Sequence, residues 1–224
     1  MDTLDLSTKR FLFPPMNPEG RRFVLAAAVL TLFATLLWQP LAAPGLLLTW
    51  GVYLFFRDPE RVPPLDPQAA VSPADGIVCL LARAPIPAAL GDSGEPVWRV
   101  SVFMSVLNVH VNRMPAAGTI LKTHYVPGRF LNASLDKASE HNERQLLLIR
   151  TDAGQTLAVV QIAGLIARRI VCFAREGQTL ARAERFGLIR FGSRVDVYLP
   201  PGVEPAVRVG QIMVAGETVI ARLS

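Results

Sequence analysis

The chain has 224 residues and a formal charge of +5, and 51% of its residues are hydrophobic. That length holds one catalytic domain plus an appendage, and a mean hydropathy of +0.34, with the excess near the N-terminus, places part of the chain in a membrane. The basic balance (20 Arg and 3 Lys) is scattered without a basic run or interleaved aromatics, which excludes a nucleic-acid footprint and favours an anionic lipid surface.

Residues 23 to 56 contain no charged side chain. Gln39-Pro40 and Pro44-Gly45 interrupt this run, leaving two apolar stretches of about 16 residues, each ~24 Å long as a helix. Both are shorter than a hydrocarbon core of ~30 Å, so a membrane-associating helical hairpin is predicted rather than one long span. Lys9, Arg10, Arg21 and Arg22 precede the hairpin and Arg57 and Arg61 follow it, which puts both ends on the cytoplasmic face of the cell membrane. Leu41-Ala42-Ala43 resembles a signal-peptidase site, but a charged leader of this length followed at once by a second apolar stretch is unlike a signal peptide.

Residues 1–62 are therefore assigned to an N-terminal region and 63–224 to a catalytic domain. Beyond Pro63-Pro64 the sequence turns to short Val- and Ile-rich runs punctuated by Gly and Pro. Strands are predicted over Gly76 to Ala82, Val97 to Val106, Gly118 to Tyr125, Gln145 to Thr151, Thr156 to Ile162, Ala167 to Ala174, Arg194 to Leu199 and Ile212 to Arg222, with turns at Asp152-Ala153-Gly154 and Ala215-Gly216-Glu217. The expected fold is mainly β (α+β), a barrel-sandwich-like β domain carrying the apolar hairpin. Val71 to Val78 and Val209 to Val219 both look like the Gly-turn strands of barrel-sandwich hybrid domains. The polar segment Ala133 to Arg144 reads as a loop over a site. Cys79 and Cys172 have no Cys-x-x-Cys or His-rich spacing, so no metal site is expected and both read as reduced, buried residues.

Chemistry is suggested first by Gly192-Ser193. A glycine offers an unhindered carbonyl, and the next serine hydroxyl can attack it from within the same chain. Such an attack needs a base and a group to orient it. Three histidines are present: His110, His124 and His141. His110 ends a strongly apolar stretch, where a polar residue needs a reason; His124 reads as exposed and His141 belongs to the polar loop. Asp75 is the natural orienter, although Ser-Pro-Ala-Asp-Gly is also an ordinary turn sequence. On spacing alone these three residues fix neither a triad nor a turn.

Four motifs occur in order: Ser-Pro-Ala-Asp-Gly at 72–76, Asn-Val-His-Val-Asn-Arg at 108–113, Asn142-Glu143-Arg144, and Arg-Phe-Gly-Ser-Arg-Val-Asp-Val-Tyr-Leu-Pro at 190–200. Together they resemble the phosphatidylserine decarboxylases over about residues 55 to 224, most closely the short prokaryotic subclass. Longer bacterial members carry Leu-Gly-Ser-Thr where this chain has Phe-Gly-Ser-Arg, and a second His where Arg113 stands.

The resemblance implies a processing triad of Asp75, His110 and Ser193. His110 would deprotonate Ser193, whose oxygen attacks the Gly192 carbonyl; elimination and loss of ammonia then leave a pyruvoyl group, a covalent pyruvate, at the new N-terminus. Residues 1–192 would form the large chain and 193–224 the small one, held together as a heterodimer. The pyruvoyl ketone forms a Schiff base with the substrate amine and acts as electron sink when carbon dioxide leaves, with His110 as general acid. The implied activity converts membrane phosphatidylserine to phosphatidylethanolamine in phospholipid biosynthesis. His141, Arg144 and Arg113, with Arg57 and Arg61, are candidates for the headgroup phosphate or carboxylate. A homo-oligomer is compatible with this reading. Two rivals use the same residues differently: a serine hydrolase without backbone cleavage, which lacks a Gly-x-Ser-x-Gly elbow, and a membrane-tethered scaffold in which Gly192-Ser193 is only a turn.

Overall fold

The computed structural model describes residues 13–91, 94–131, 141–165, 169–190 and 192–223. The chain divides into two compact units, residues 1–60 and 61–224.

The first unit is a helical hairpin. Helix α1 spans Arg21–Leu37 and α2 spans Ala42–Phe55, joined by a 3-10 turn at Gln39–Leu41. Only Gln39-Pro40 breaks the apolar run. Pro44 lies in the first turn of α2, where its missing N–H has no intrahelical acceptor to satisfy, so the helix runs through it. The helices approach closely at Gly45, where an added Cβ would lie 2.6 Å from Thr31 Cγ2. The Thr31 hydroxyl donates to the Gly45 carbonyl at 3.0 Å, satisfying its polar atom inside the hairpin. At the open end, Asn17 Nδ2 donates to Asp58 at 3.2 Å and the Phe23 and Phe56 rings stack at 5.2 Å. Much of the remaining surface is apolar and exposed, including Leu36, Leu37, Trp38 and Leu47. Pro18–Leu37 is long and apolar enough to cross a membrane.

The second unit is built mainly of β-strands, as the punctuated Val- and Ile-rich runs predict. Its strands are β1 (Ala69–Val71), β2 (Gly76–Ala84), β3 (Val97–Met104), β4 (Val111–Arg113), β5 (Gly118–Val126), β6 (Arg144–Thr151), β7 (Thr156–Ala163), β8 (Arg169–Cys172), β9 (Thr179–Leu180), β10 (Arg185–Arg190), β11 (Ser193–Tyr198), β12 (Ile212–Met213) and β13 (Val219–Arg222). An eight-stranded sheet in the order β12-β2-β3-β11-β7-β6-β5-β9 curls into a half-barrel, accompanied by a three-stranded sheet β4-β10-β8 and the pair β1-β13.

The strand expected over Ile212 to Arg222 is two short strands, because Gly216 at φ 78° turns the chain between them. Val97 to Val106 ends at Met104, where Asn108 Oδ1 accepts the Ser105 backbone N–H at 2.8 Å and winds a turn. Short β1, β4, β9 and β10 were not anticipated, since two to six residues give little periodicity to read. The predicted polar loop, up to Glu140, lies outside the described residues, as do Ala167 and its two neighbours at the start of the predicted strand Ala167 to Ala174.

Strand β11 occupies the middle of the large sheet, antiparallel to β3 on one side and β7 on the other. All six of its residues are buried, so it lacks the polar-out alternation of a surface strand. Val195 and Val197 join the main core, whereas Tyr198 packs with Leu146, Val160 and Ile162 in a second cluster. Arg194 and Asp196, each with side chains 1% exposed, form a two-point ion pair at 2.8 and 2.9 Å. Buried charge is tolerated here because it is matched in both charge and hydrogen bonding. Cys79 and Cys172 are unbridged and half-buried, and burial pushes both thiols above the ordinary cysteine range.

Candidate active site

Ser193 is the first residue of β11, in register with Met104 at the end of β3 and Ala163 at the end of β7. The site therefore lies where two strands end and the central one begins. Ser193 is fully buried, and its hydroxyl donates to the Met104 sulfur at 3.3 Å. A thioether is a weak acceptor, so the hydroxyl is held only lightly.

The peptide groups of Gly192 are gripped on both sides. Its N–H donates to His110 Nε2 at 3.3 Å, and its carbonyl oxygen accepts the Gly164 N–H at 3.1 Å. Gly192 has φ +62°, a left-handed conformation that costs other L-residues energy. Sequence thus supplies a glycine where the fold demands that twist.

His110, 2% exposed, follows the Ser105–Asn108 turn. Its carbonyl accepts the Ile189 N–H at 3.2 Å and its Nδ1 lies 2.9 Å from the Asn108 carbonyl oxygen. A carbonyl can only accept, so Nδ1 carries the proton and Nε2 presents its lone pair to Gly192. This is the tautomer a base needs at that position.

The structure brings His110, Gly192 and Ser193 together and engages Asp75 elsewhere. The Asp75 carboxylate accepts two hydrogen bonds from Arg61 Nη2, at 2.8 and 3.1 Å, and one from the Ala215 N–H at 2.8 Å. Nδ1 of His110 is oriented by the Asn108 carbonyl instead. The two segments are still linked through the backbone, because the Arg113 N–H, three residues beyond His110, donates to the Pro73 carbonyl at 2.9 Å. Asp75 thus braces the loop that supports β4.

Arg113 is 3% exposed and donates through Nη1 to the Ala183 carbonyl at 3.0 Å. His141 is exposed, and its carbonyl accepts the Arg129 N–H at 2.7 Å. Arg144 opens β6, half-buried and opposite Ile162. His124 is exposed on β5. Arg57 belongs to the hairpin unit, where its Nη1 donates to the Leu54 carbonyl at 2.7 Å.

Several site residues escaped the sequence reading. Gly164 contributes only a backbone N–H, which leaves no signature in composition or spacing. Met104 reads as an ordinary core residue. Asn112 and Gln161 are fully buried and joined by a 2.8 Å hydrogen bond, and Asn112 Nδ2 lies 3.7 Å from the Met104 sulfur. Gln161, an amide inside the predicted strand Thr156 to Ile162, and Asn112, inside the motif at 108–113, were the available signal, since buried amides must find partners. Asn142, also fully buried, donates to the Leu131 and Ala163 carbonyls at 2.8 and 2.7 Å and accepts the Leu131 N–H at 2.9 Å.

A carbonyl with a hydrogen-bond donor in place, a neighbouring hydroxyl and an oriented imidazole are the parts of an intramolecular acyl transfer. Residues 48–221 match the family model described as phosphatidylserine decarboxylase. The chain is 57% identical over 210 residues to the phosphatidylserine decarboxylase proenzyme of Cereibacter sphaeroides, covering 94% of this chain and 90% of that one. It is 58% identical to the proenzyme of the same description from Ruegeria pomeroyi, covering 93% and 95% of the two chains, and 58% identical to that of Gluconacetobacter diazotrophicus, covering 92% and 94%. On these matches the chain belongs to the phosphatidylserine decarboxylase family.

Proposed function

We propose that the chain is a proenzyme that cuts itself between Gly192 and Ser193 and thereby gains its decarboxylase activity. The activity is the pyruvoyl-dependent conversion of phosphatidylserine to phosphatidylethanolamine. The observation that carries the cleavage reading is the grip on Gly192. Its carbonyl is already polarised by the Gly164 N–H, and the acceptor nitrogen of His110 lies on its other side.

In this reading His110 takes the Ser193 hydroxyl proton while the oxygen attacks the Gly192 carbonyl carbon. The Gly164 N–H stabilises the negative charge that develops on the carbonyl oxygen. The C–N bond breaks, its nitrogen takes up a proton, and an ester joins Gly192 to the former Ser193 side chain. Loss of the α-proton then expels the Gly192 carboxylate and leaves a dehydroalanine, which tautomerises to an imine. Water adds and ammonia departs, leaving the pyruvoyl group at the head of residues 193–224.

Ser193 fits that group. It is sheltered from water and heads a strand hydrogen-bonded on both sides, so the short chain stays in place after the cut. The ketone supplies an electron sink conjugated to the substrate amine. His110 is the proposed proton donor to the substrate carbon, and His141, Arg144 and Arg113 are the proposed headgroup contacts. Asp75 is proposed to act through the loop it braces.

The hairpin, within residues 1–62, is proposed to hold the catalytic domain, residues 63–224, to the cytoplasmic face. Arg21, Arg22 and Arg57 flank its apolar helices and favour that side. A serine hydrolase would have to offer its hydroxyl to an incoming ester. Ser193 has no exposed surface in the uncut chain, and its hydroxyl points to the Met104 sulfur inside the protein.

The test is the intact mass of the purified protein beside a Ser193→Ala variant. Wild type should yield two chains, 1–192 and a carbonyl-headed 193–224, and the variant one chain without decarboxylase activity. A wild-type protein that stays full-length at neutral pH would sink the proposal.

A further inference from the structure

The loops around Gly192 carry apolar side chains out into solvent. Val106, Leu107 and Leu165 are 44%, 78% and 68% exposed, and Phe130 and Leu131 are 36% and 38% exposed. Three separate loops contribute them, and each loop is tied to the junction. The Val106 side chain lies 3.9 Å from where a Cβ on Gly192 would be. Leu165 follows Gly164, the donor to the Gly192 carbonyl. Asn142 holds Leu131 by both its N–H and its carbonyl, and donates also to Ala163, the register partner of Ser193.

Apolar tips from three separate loops are therefore each tied to the segments that hold Gly192. Two exposed cations lie on the neighbouring segments, Arg129 beside Phe130 in sequence and Arg169 of β8 in register with Arg190 of β10, two residues before Gly192.

We propose that this rim is a bilayer-docking surface of the catalytic unit, inserting Leu107 and Leu165 at the headgroup boundary of an anionic membrane with Arg129 and Arg169 against the lipid phosphates. The inference rests on the decarboxylase reading. A serine headgroup that reaches Ser193 is still attached to acyl chains in the bilayer, so the mouth of the site has to meet the interface. The hairpin supplies proximity, but a tether by itself leaves the catalytic mouth free to face away. Apolar tips interspersed with cations match a bilayer whose surface is anionic and whose interior is apolar.

The test uses the full, processed chain carrying Leu107→Asp and Leu165→Asp together. Decarboxylation is measured on phosphatidylserine in phosphatidylcholine vesicles and on dihexanoyl phosphatidylserine below its micelle concentration. A buried leucine is worth about tenfold or more in an equilibrium, so kcat/KM on vesicles should fall at least about tenfold while that on the monomeric lipid stays within about twofold. Equal activity of variant and wild type on vesicles overturns the proposal, and so does an equal loss on both substrates, which would mean damage to the site. If the variant sediments as a smaller species than wild type with vesicle activity intact, the rim is an interface between copies of the chain, and the proposal fails.

Should the Asp pair not process, Leu107→Trp with Leu165→Trp decides. Tighter vesicle binding supports docking, and unchanged binding overturns it. Wild-type protein releasing no carbon dioxide from either lipid would instead refute the decarboxylase reading itself.

Discussion

Gly192 is the position where backbone conformation and the proposed chemistry meet, and Gly192→Ala separates them. At φ +62° an alanine incurs about 1–2 kcal/mol of left-handed strain. It incurs no steric cost, since the nearest heavy atom to the new Cβ, Val106 Cγ1, is 3.9 Å away. The penalty applies only while residue 192 is held within a continuous chain. After the cut it is a chain end and its torsions relax. On a Ser193→Ala background, which keeps the chain whole, Gly192→Ala should lower the melting temperature by about 2–8 °C, taking about 2–4 °C per kcal/mol for a unit of this size. Between processed Gly192→Ala and processed wild type the difference should be under about 1 °C by the same conversion. Scanning calorimetry on all four proteins provides the comparison. An equal drop in cut and uncut forms would refute the reasoning, because the strain would then not reside in the bond that breaks.

Other outcomes follow from the same geometry. His110→Gln should lengthen the self-cleavage half-time about 10²- to 10⁴-fold, the usual contribution of a positioned base, followed by the appearance of the two chains on a denaturing gel; near-normal cleavage would remove His110 from that role. Gly164→Pro deletes the N–H that contacts the Gly192 carbonyl and should slow cleavage about 10²- to 10³-fold, whereas Gly164→Ala, which keeps the donor, should cleave much faster than the proline variant. The raised pKa values of Cys79 and Cys172 reduce their thiolate fraction below that of an ordinary cysteine at pH 7.5. Both should react slowly with a disulfide reagent in the native protein, faster as the pH climbs through the raised values, and at once when unfolded. Native reaction as fast as that of the unfolded chain would contradict their placement.

What was legible in the sequence was whatever leaves a local trace. The uncharged run over 23–56 marked the hairpin because an exposed apolar helix pair needs no polar face, and the punctuated Val- and Ile-rich runs marked the β domain. Gly192-Ser193 and His110 stood out because their side chains, or the lack of one, suit the proposed chemistry. Pro44 was misread as a breaker, since its effect depends on its position within a helix turn rather than on its identity.

Tertiary structure decided the partnerships. Asp75 was expected beside His110, yet its carboxylate meets Arg61 and the Ala215 N–H, while a backbone carbonyl, that of Asn108, sets the imidazole. The Gly164 N–H that meets the Gly192 carbonyl and the apolar loop tips tied to the junction come from segments far apart in the chain. Backbone donors carry no residue code, and loops converge only when β3, β7 and β11 pair in register. The sequence alone therefore pointed to the bond proposed to break, and the fold determined which groups surround it.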